Sequence, residues 1–232
     1  MRVKGIVFDK DGTLFDFSAT WSPWAAAFLR RICKNDDAKA EHMGRIIGFD
    51  LATGRFDPAS VVIAGTPEDI LAVLAQAIPD LDHGELLEII NTEAEAAPMA
   101  EAVPLAPLLD RFRAMGLTLG VATNDAETPA VAHLAAVGVQ DRFDFIAGSD
   151  SGFGGKPAPG QLLAFCDQTG IAPENAVMVG DSLHDLRAGR AAGFACIGVL
   201  TGMATKQDLQ DHADVVLPDI GHIPRWLEQL SG

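Results

Sequence analysis

The stretch Lys4–Asp16, KGIVFDKDGTLFD, passes from an apolar run directly into a turn that carries Asp9 and Asp11. With Val3 before it, VKGIVF is apolar almost without interruption, the pattern of a strand covered on both faces in a parallel sheet. In extended chain, residues two apart share a side, so Asp9 and Asp11 are expected to point together and Lys10 away from them. Gly12 then permits a tight turn. Two carboxylates this close repel, raise a pKa or share a cation. Three readings fit the stretch alone: a wetted turn, a calcium loop, or a metal-supported nucleophile beside an acid/base. A calcium loop needs Gly at its sixth position and Glu at its twelfth, where this chain has Leu14 and Thr20.

Working outward, similar apolar runs recur at 117–123 (LTLGVAT), 143–148 (FDFIAG), 175–180 (NAVMVG) and 194–199 (FACIGV), with a shorter one at 213–218 (ADVVLP). Helical patterns alternate with them. Leu105, Leu108, Leu109, Phe112 and Met115 form one stripe; TPAVAHLAAVG, PGQLLAFCDQTG and SLHDLRAGRAAG supply three more helices. This alternation predicts an α/β domain with right-handed crossovers. Residues 17–98 break the rhythm. There the sequence is mostly helical, in SPWAAAFLRRIC, DAKAEHMGRIIG, PEDILAVLAQAI and HGELLEIINTEAEAA, punctuated by Pro58, Gly65, Pro67 and Pro79. The expected organisation is a core of 1–16 plus 99–232 with a helical cap, 17–98, inserted after the first strand. Trp21 and Trp24 lie at helical spacing with Phe28, which favours an inward face over a partner surface.

Composition narrows the functional classes. The 232 residues are 48% hydrophobic and 21% charged, and 32 acidic against 17 basic side chains give a formal charge of -15. That balance opposes general attraction to nucleic acid or anionic membrane, but not to an anionic substrate gathered by a local cation. Cys33, Cys166 and Cys196 are scattered among apolar neighbours without CxxC spacing, the pattern of small buried hydrophobes in a reducing compartment. No run approaches the roughly 20 apolar residues of a membrane span. A soluble cytoplasmic protein is expected, its oligomeric state left open.

Further polar clusters follow predicted strands. In VMVGDSLHDLRAG, Asp181 ends a strand and Asp185 stands one helical turn on; Asp185 alone also suits a helix start. His184 is expected on a different face, toward solvent or loop. GSDSGFGGKPAPG fails as a phosphate loop, because Asp150 stands at the first required glycine and Pro157 at the magnesium-binding Ser/Thr. It delivers a single lysine, Lys156. GVATND brings Thr123 and Asn124 off another strand, where the hydroxyl suits either a helix cap or a ligand oxygen. All these clusters fall at the carboxyl edge of one sheet, the ligand-binding edge of open α/β folds. Several carboxylates with a lysine and a hydroxyl suit a hard cation such as magnesium and a phosphoryl group.

With these motifs in order, the chain resembles the haloacid dehalogenase-like phosphohydrolase superfamily: DKDGTLFD as its first motif, Thr123 its second, Lys156 its third and GDSLHD its fourth. The resemblance implies a Rossmann-like parallel sheet ordered 5-4-1-2-3 with an α-helical cap of the first type. It implies Asp9 as a nucleophile forming an aspartyl-phosphate and Asp11 as acid, then base. Mg2+ would be held by Asp9, the Asp11 backbone carbonyl and Asp181, with Asp185 in support; Thr123 and Lys156 would bind phosphoryl oxygens. The presence of Asp11 sets the chain apart from the dehalogenases. The nearest resemblance, to the phosphoglycolate phosphatase-like branch, implies a small phosphorylated metabolite, first 2-phosphoglycolate. A phosphosugar mutase and a non-catalytic phospho-ligand binding protein are the alternatives. Arg45 and Arg55, flanking a glycine-containing turn of the cap, are candidate contacts for a substrate carboxylate or phosphate, as is Asn124.

Overall fold

The computed structural model describes residues 2–78 and 82–230; Pro79, one of the expected breaks, lies outside them. Strand β1 (Gly5–Phe8) is followed by α1 (Phe17–Ile32), α2 (Asp37–Ile47), a hairpin of β2 (Phe49–Asp50) and β3 (Arg55–Phe56), α3 (Val61–Ala64), α4 (Pro67–Ala75) and α5 (His83–Glu95). The chain then alternates through α6 (Leu105–Ala114), β4 (Thr118–Ala122), α7 (Glu127–Ala136), β5 (Phe145–Ala147), α8 (Gly160–Thr169), β6 (Ala176–Gly180), α9 (Leu183–Ala192) and β7 (Ala195–Val199). It closes with α10 (Lys206–Leu209), β8 (Val215–Leu217) and α11 (Ile223–Leu230).

The main sheet is parallel throughout and ordered β5-β4-β1-β6-β7-β8. The expected five-strand order is present, with the short sixth strand added beyond β7. β1 is central because it can be: all four of its residues are buried. Ile6 and Phe8 pack with Leu109 and Phe112 of α6, whereas Val7 faces Phe165 of α8. Phe8 is level with Val121 of β4 and Val179 of β6, so the polar residues that follow each strand emerge along one edge. Register alone assembles that edge from distant parts of the chain.

Helices α1 to α5 gather an apolar core of their own, running from Phe17 and Trp24 to Ile90 and Ala94. Trp21 and Trp24 face inward, and Trp24 stacks on Phe28 with ring centroids 5.1 Å apart. α1 begins earlier than its sequence suggests. Asp16 caps it by accepting the Ala19 N–H at 2.7 Å, and Pro23 lies inside the helix. The proline reads as a start signal, but the cap seven residues earlier determines where the helix begins. All three cysteines are buried and free, and burial pushes the thiols of Cys166 and Cys196 up to about 11. Among the described residues no helix is long and apolar enough to cross a membrane.

Candidate active site

Asp9 leaves the end of β1 with its N–H bonded to the Val179 carbonyl at 2.8 Å. Across the edge, Lys156 Nζ lies 2.5 Å from Asp9 Oδ1 and 2.7 Å from Asp185 Oδ1. Lys156 arrives on the loop between β5 and α8, and Asn124 holds that loop: its Oδ1 accepts the Lys156 N–H at 2.7 Å and its Nδ2 donates to the Lys156 carbonyl at 2.9 Å. The same amide donates to the Ala64 carbonyl of α3 at 2.8 Å. Asn124, expected as a substrate contact, lines the cavity over Asp9 but spends its side-chain amide clamping the Lys156 loop to α3.

Asp181 and Asp185 flank the start of α9. Ser182 and Asp185 form a reciprocal cap, with Asp185 Oδ2 accepting the Ser182 N–H and hydroxyl at 3.0 and 2.7 Å. The helix-start role and the lysine partnership of Asp185 are therefore both real, on different oxygens. Asp9, Asp181 and Asp185 each bring one carboxylate oxygen within 4.8 Å of the others, all buried. Three acids against one ammonium leave an excess of negative charge, the donor set that suits a hard dication. Burial pushes Asp181 well above the usual carboxylate range, and Asp185 and Asp9 push it further. Burial also raises Asp9 to about 7, against the opposing pull of Lys156. For Lys156 burial disfavours the ammonium, but Asp185 and Asp9 outweigh it and hold the pKa above that of an ordinary lysine.

Glycines make room for Asp181. Gly12 has φ +82° and a Cβ there would stand 2.5 Å from Asp181 Oδ2; a Cβ on Gly202, in the loop after β7, would overlap the same oxygen. Thr201 ties that loop back by donating its hydroxyl to the Gly12 carbonyl at 2.6 Å. Gly202→Ala is therefore expected to keep the fold while turning Asp181 aside. The affinity of this acidic cluster for a divalent cation should fall about 10- to 100-fold, as when a ligand's support is lost; the rise in melting temperature along a cation titration checks it.

Thr123 follows β4 and is buried on the cavity wall. Its Oγ1 accepts the Asp125 N–H at 3.1 Å, and its own O–H remains to donate. It is not the cap of α7, whose N-cap residue is Ala126. His184 is a correction: it lines this cavity instead of turning to another face. Arg45 and Arg55 do not join the cavity over Asp9. They line a separate surface cavity beside the β2–β3 hairpin with Glu41, Asp50 and Asp57.

Lys10 is the larger correction. Its side chain does not point away from the acids but is fully buried beside one of them. Lys10 Nζ lies 2.9 Å from Asp11 Oδ1, 3.2 Å from Asp125 Oδ2 and 2.9 Å from His133 Nδ1. His133 Nε2 meets the Ala94 carbonyl of α5 at 2.7 Å. A carbonyl only accepts, so Nε2 carries the proton and Nδ1 accepts from Lys10. The ammonium thus donates to Asp11 and His133 and forms an ion pair with Asp125. Burial favours neutral His133, whose pKa falls to about 4, and the Lys10 charge lowers it too. Alternation along β1 could not show this, because a long side chain curls back to partners that only the fold supplies.

Known proteins share this architecture. The sequence pattern of the haloacid dehalogenase-like hydrolase family matches residues 3–193. The phosphoglycolate phosphatase of Rhodospirillum rubrum is 34% identical over 238 aligned positions, covering 97% of this chain and 90% of its own. That of Thiobacillus denitrificans is 29% identical, covering 95% and 93%. The crystal structure of an HAD phosphatase from Thermococcus onnurineus superposes with a TM-score of 0.67 at 23% identity, covering 97% of this chain and 98% of that one, and so shares the fold. With the motif-bearing residues gathered at one sheet edge and the family pattern spanning most of the sequence, the chain belongs to the haloacid dehalogenase-like hydrolases.

Proposed function

We propose that the protein is a magnesium-dependent phosphatase that hydrolyses a small phosphomonoester through an aspartyl-phosphate on Asp9. The observation that carries this reading is the meeting of Asp9, Lys156, Asp181 and Asp185, from three loops far apart in sequence, in one buried cluster. Lys156 holds one oxygen of Asp9, and the other is the nucleophile toward phosphorus. Asp11 protonates the leaving oxygen and then takes a proton from the water that cleaves the aspartyl-phosphate. The Thr123 hydroxyl and Lys156 bind phosphoryl oxygens. Asp9, the Asp11 carbonyl and Asp181, with Asp185 in support, would hold Mg2+, which when bound offsets the acids' charge and polarises the phosphoryl group. Residues 17–98 act as the cap over a core of 1–16 and 99–232. The three buried, unpaired cysteines support a reducing compartment, the cytoplasm.

The names of the relatives put 2-phosphoglycolate first on a panel of phosphomonoesters. Inorganic phosphate release across that panel, with and without magnesium, tests the reading; absence of release from every ester would refute it.

Proton linkage gives a second check. In the metal-free protein Asp9 has a folded pKa of about 7 against 3.8 for the free group. The folded state then binds more protons than the unfolded chain between those values, so this group's contribution to stability falls as pH rises through the window. Magnesium takes the proton's place as compensator. The metal-free melting temperature is expected to be lower at about pH 8 than at about pH 6, and the rise on adding magnesium larger at about pH 8. A magnesium-induced rise that is no larger at the higher pH would contradict this assignment.

A further inference from the structure

The cavity over Asp9 is polar on its core side alone. On the cap side it is lined by apolar residues from α1, α3, α4 and α5, among them Phe17, Trp21, Trp24, Val62, Ile70 and Ile90. Three main-chain carbonyls there are already used: Ala64 O by Asn124, Ile90 O by Trp24 Nε1 at 3.3 Å, and Ala94 O by His133. Trp21 Nε1 is buried without a hydrogen-bond partner. The basic groups on the lining are Lys156, paired with Asp9 and Asp185, and His184 on the core side at the start of α9. Lys10 is closed off by Asp11, Asp125 and His133, and Arg45 and Arg55 face the other cavity.

This wall discriminates between leaving groups. A carboxylate placed against it would lose its water and gain no cation. A sugar would strand several hydroxyls. An apolar group gains from every square ångström removed from water. We propose that the enzyme's preferred substrates are phosphate monoesters of uncharged, apolar alcohols, branched aliphatic or aromatic, rather than phosphorylated carboxylic acids or sugars. The inference rests on the phosphatase reading above and names its substrate class.

The test pairs turnover with binding. With magnesium present, kcat/KM for 3-methylbutyl phosphate should exceed that for 2-phosphoglycolate by about 10-fold or more, mainly through KM. Benzylphosphonate, which cannot be hydrolysed, should bind at least about 10-fold tighter than 3-phosphonopropionate, by calorimetry and by quenching of Trp21 and Trp24 fluorescence. Ile63→Arg, at a half-buried position of the same wall, should narrow or reverse both preferences while leaving Asp9 and its partners in place. Stronger turnover of 2-phosphoglycolate, or tighter binding of 3-phosphonopropionate, by the wild-type protein would overturn the inference and leave the phosphatase standing. Failure to hydrolyse both esters while benzylphosphonate still binds more tightly would overturn the phosphatase and leave the pocket's preference standing.

Discussion

Asp9→Asn is expected to reduce phosphate release about 10⁴- to 10⁶-fold, the scale seen when a covalent nucleophile is removed. An amide oxygen of the same shape still fits beside Lys156, so the ester can bind; what is lost is the carboxylate that attacks phosphorus. The variant's stability separates this from misfolding. Burial holds Asp9 at a pKa of about 7, so above neutrality the native carboxylate is charged among Asp181 and Asp185. A neutral amide removes that repulsion, and Lys156 keeps Asp185 at 2.7 Å. The metal-free variant should therefore melt no lower than wild type at about pH 8, where the native group is ionised. Loss of activity with an unchanged or raised melting temperature is the expected pair of results. Undiminished release would end the role of Asp9.

Lys10→Met should cost about 3–5 kcal/mol of stability, the scale for removing one side of a buried ion pair. Methionine fills much of the same volume, but Asp11 and Asp125 lose the ammonium between them and His133 loses its donor. The sign of the pH dependence follows from Asp125. Burial already raises it to about 6, and the Lys10 charge is what lowers it. Without Lys10 the carboxyl keeps its proton to higher pH, so the variant should lose more stability at about pH 8 than at about pH 5. Adding Asp125→Asn to Lys10→Met should recover part of the loss at about pH 8, the non-additivity of groups in contact. Turnover at low temperature should fall about 10²-fold as well, since Asp11 loses the partner that fixes its carboxylate. Denaturant titration and steady-state rates at two pH values measure both effects. Equal losses at both pH values would show that Lys10 packs without compensating the acids.

The strands were readable because a parallel sheet covered on both faces needs uninterrupted apolar residues, and GIVF, AVMVG and ACIGV have them. Fixing those strands also fixed where Asp9, Thr123 and Asp181 emerge, since each directly follows one. Boundaries governed by a single capping side chain were less legible. Asp16 and Pro23 both signal a helix start, and only packing of Phe17 against Trp21 and Phe56 shows which applies. His184 was hard to place because its spacing along α9 does not show which elements enclose the cavity it lines.

What the sequence by itself determined is the α/β core, the insertion after β1 and the acids, lysine and hydroxyl at one edge, because local periodicity and motif order encode them directly. Tertiary structure decided what surrounds those groups. It turned Lys10 back to Asp11, Asp125 and His133, committed Asn124 to α3 and the Lys156 loop, put Arg45 and Arg55 over a different cavity and lined the wall facing Asp9 with apolar side chains. Spacing along a chain specifies which face a residue leaves from. Which partners wait there, from 32 to more than 100 residues away, is set by how separate helices and strands pack together.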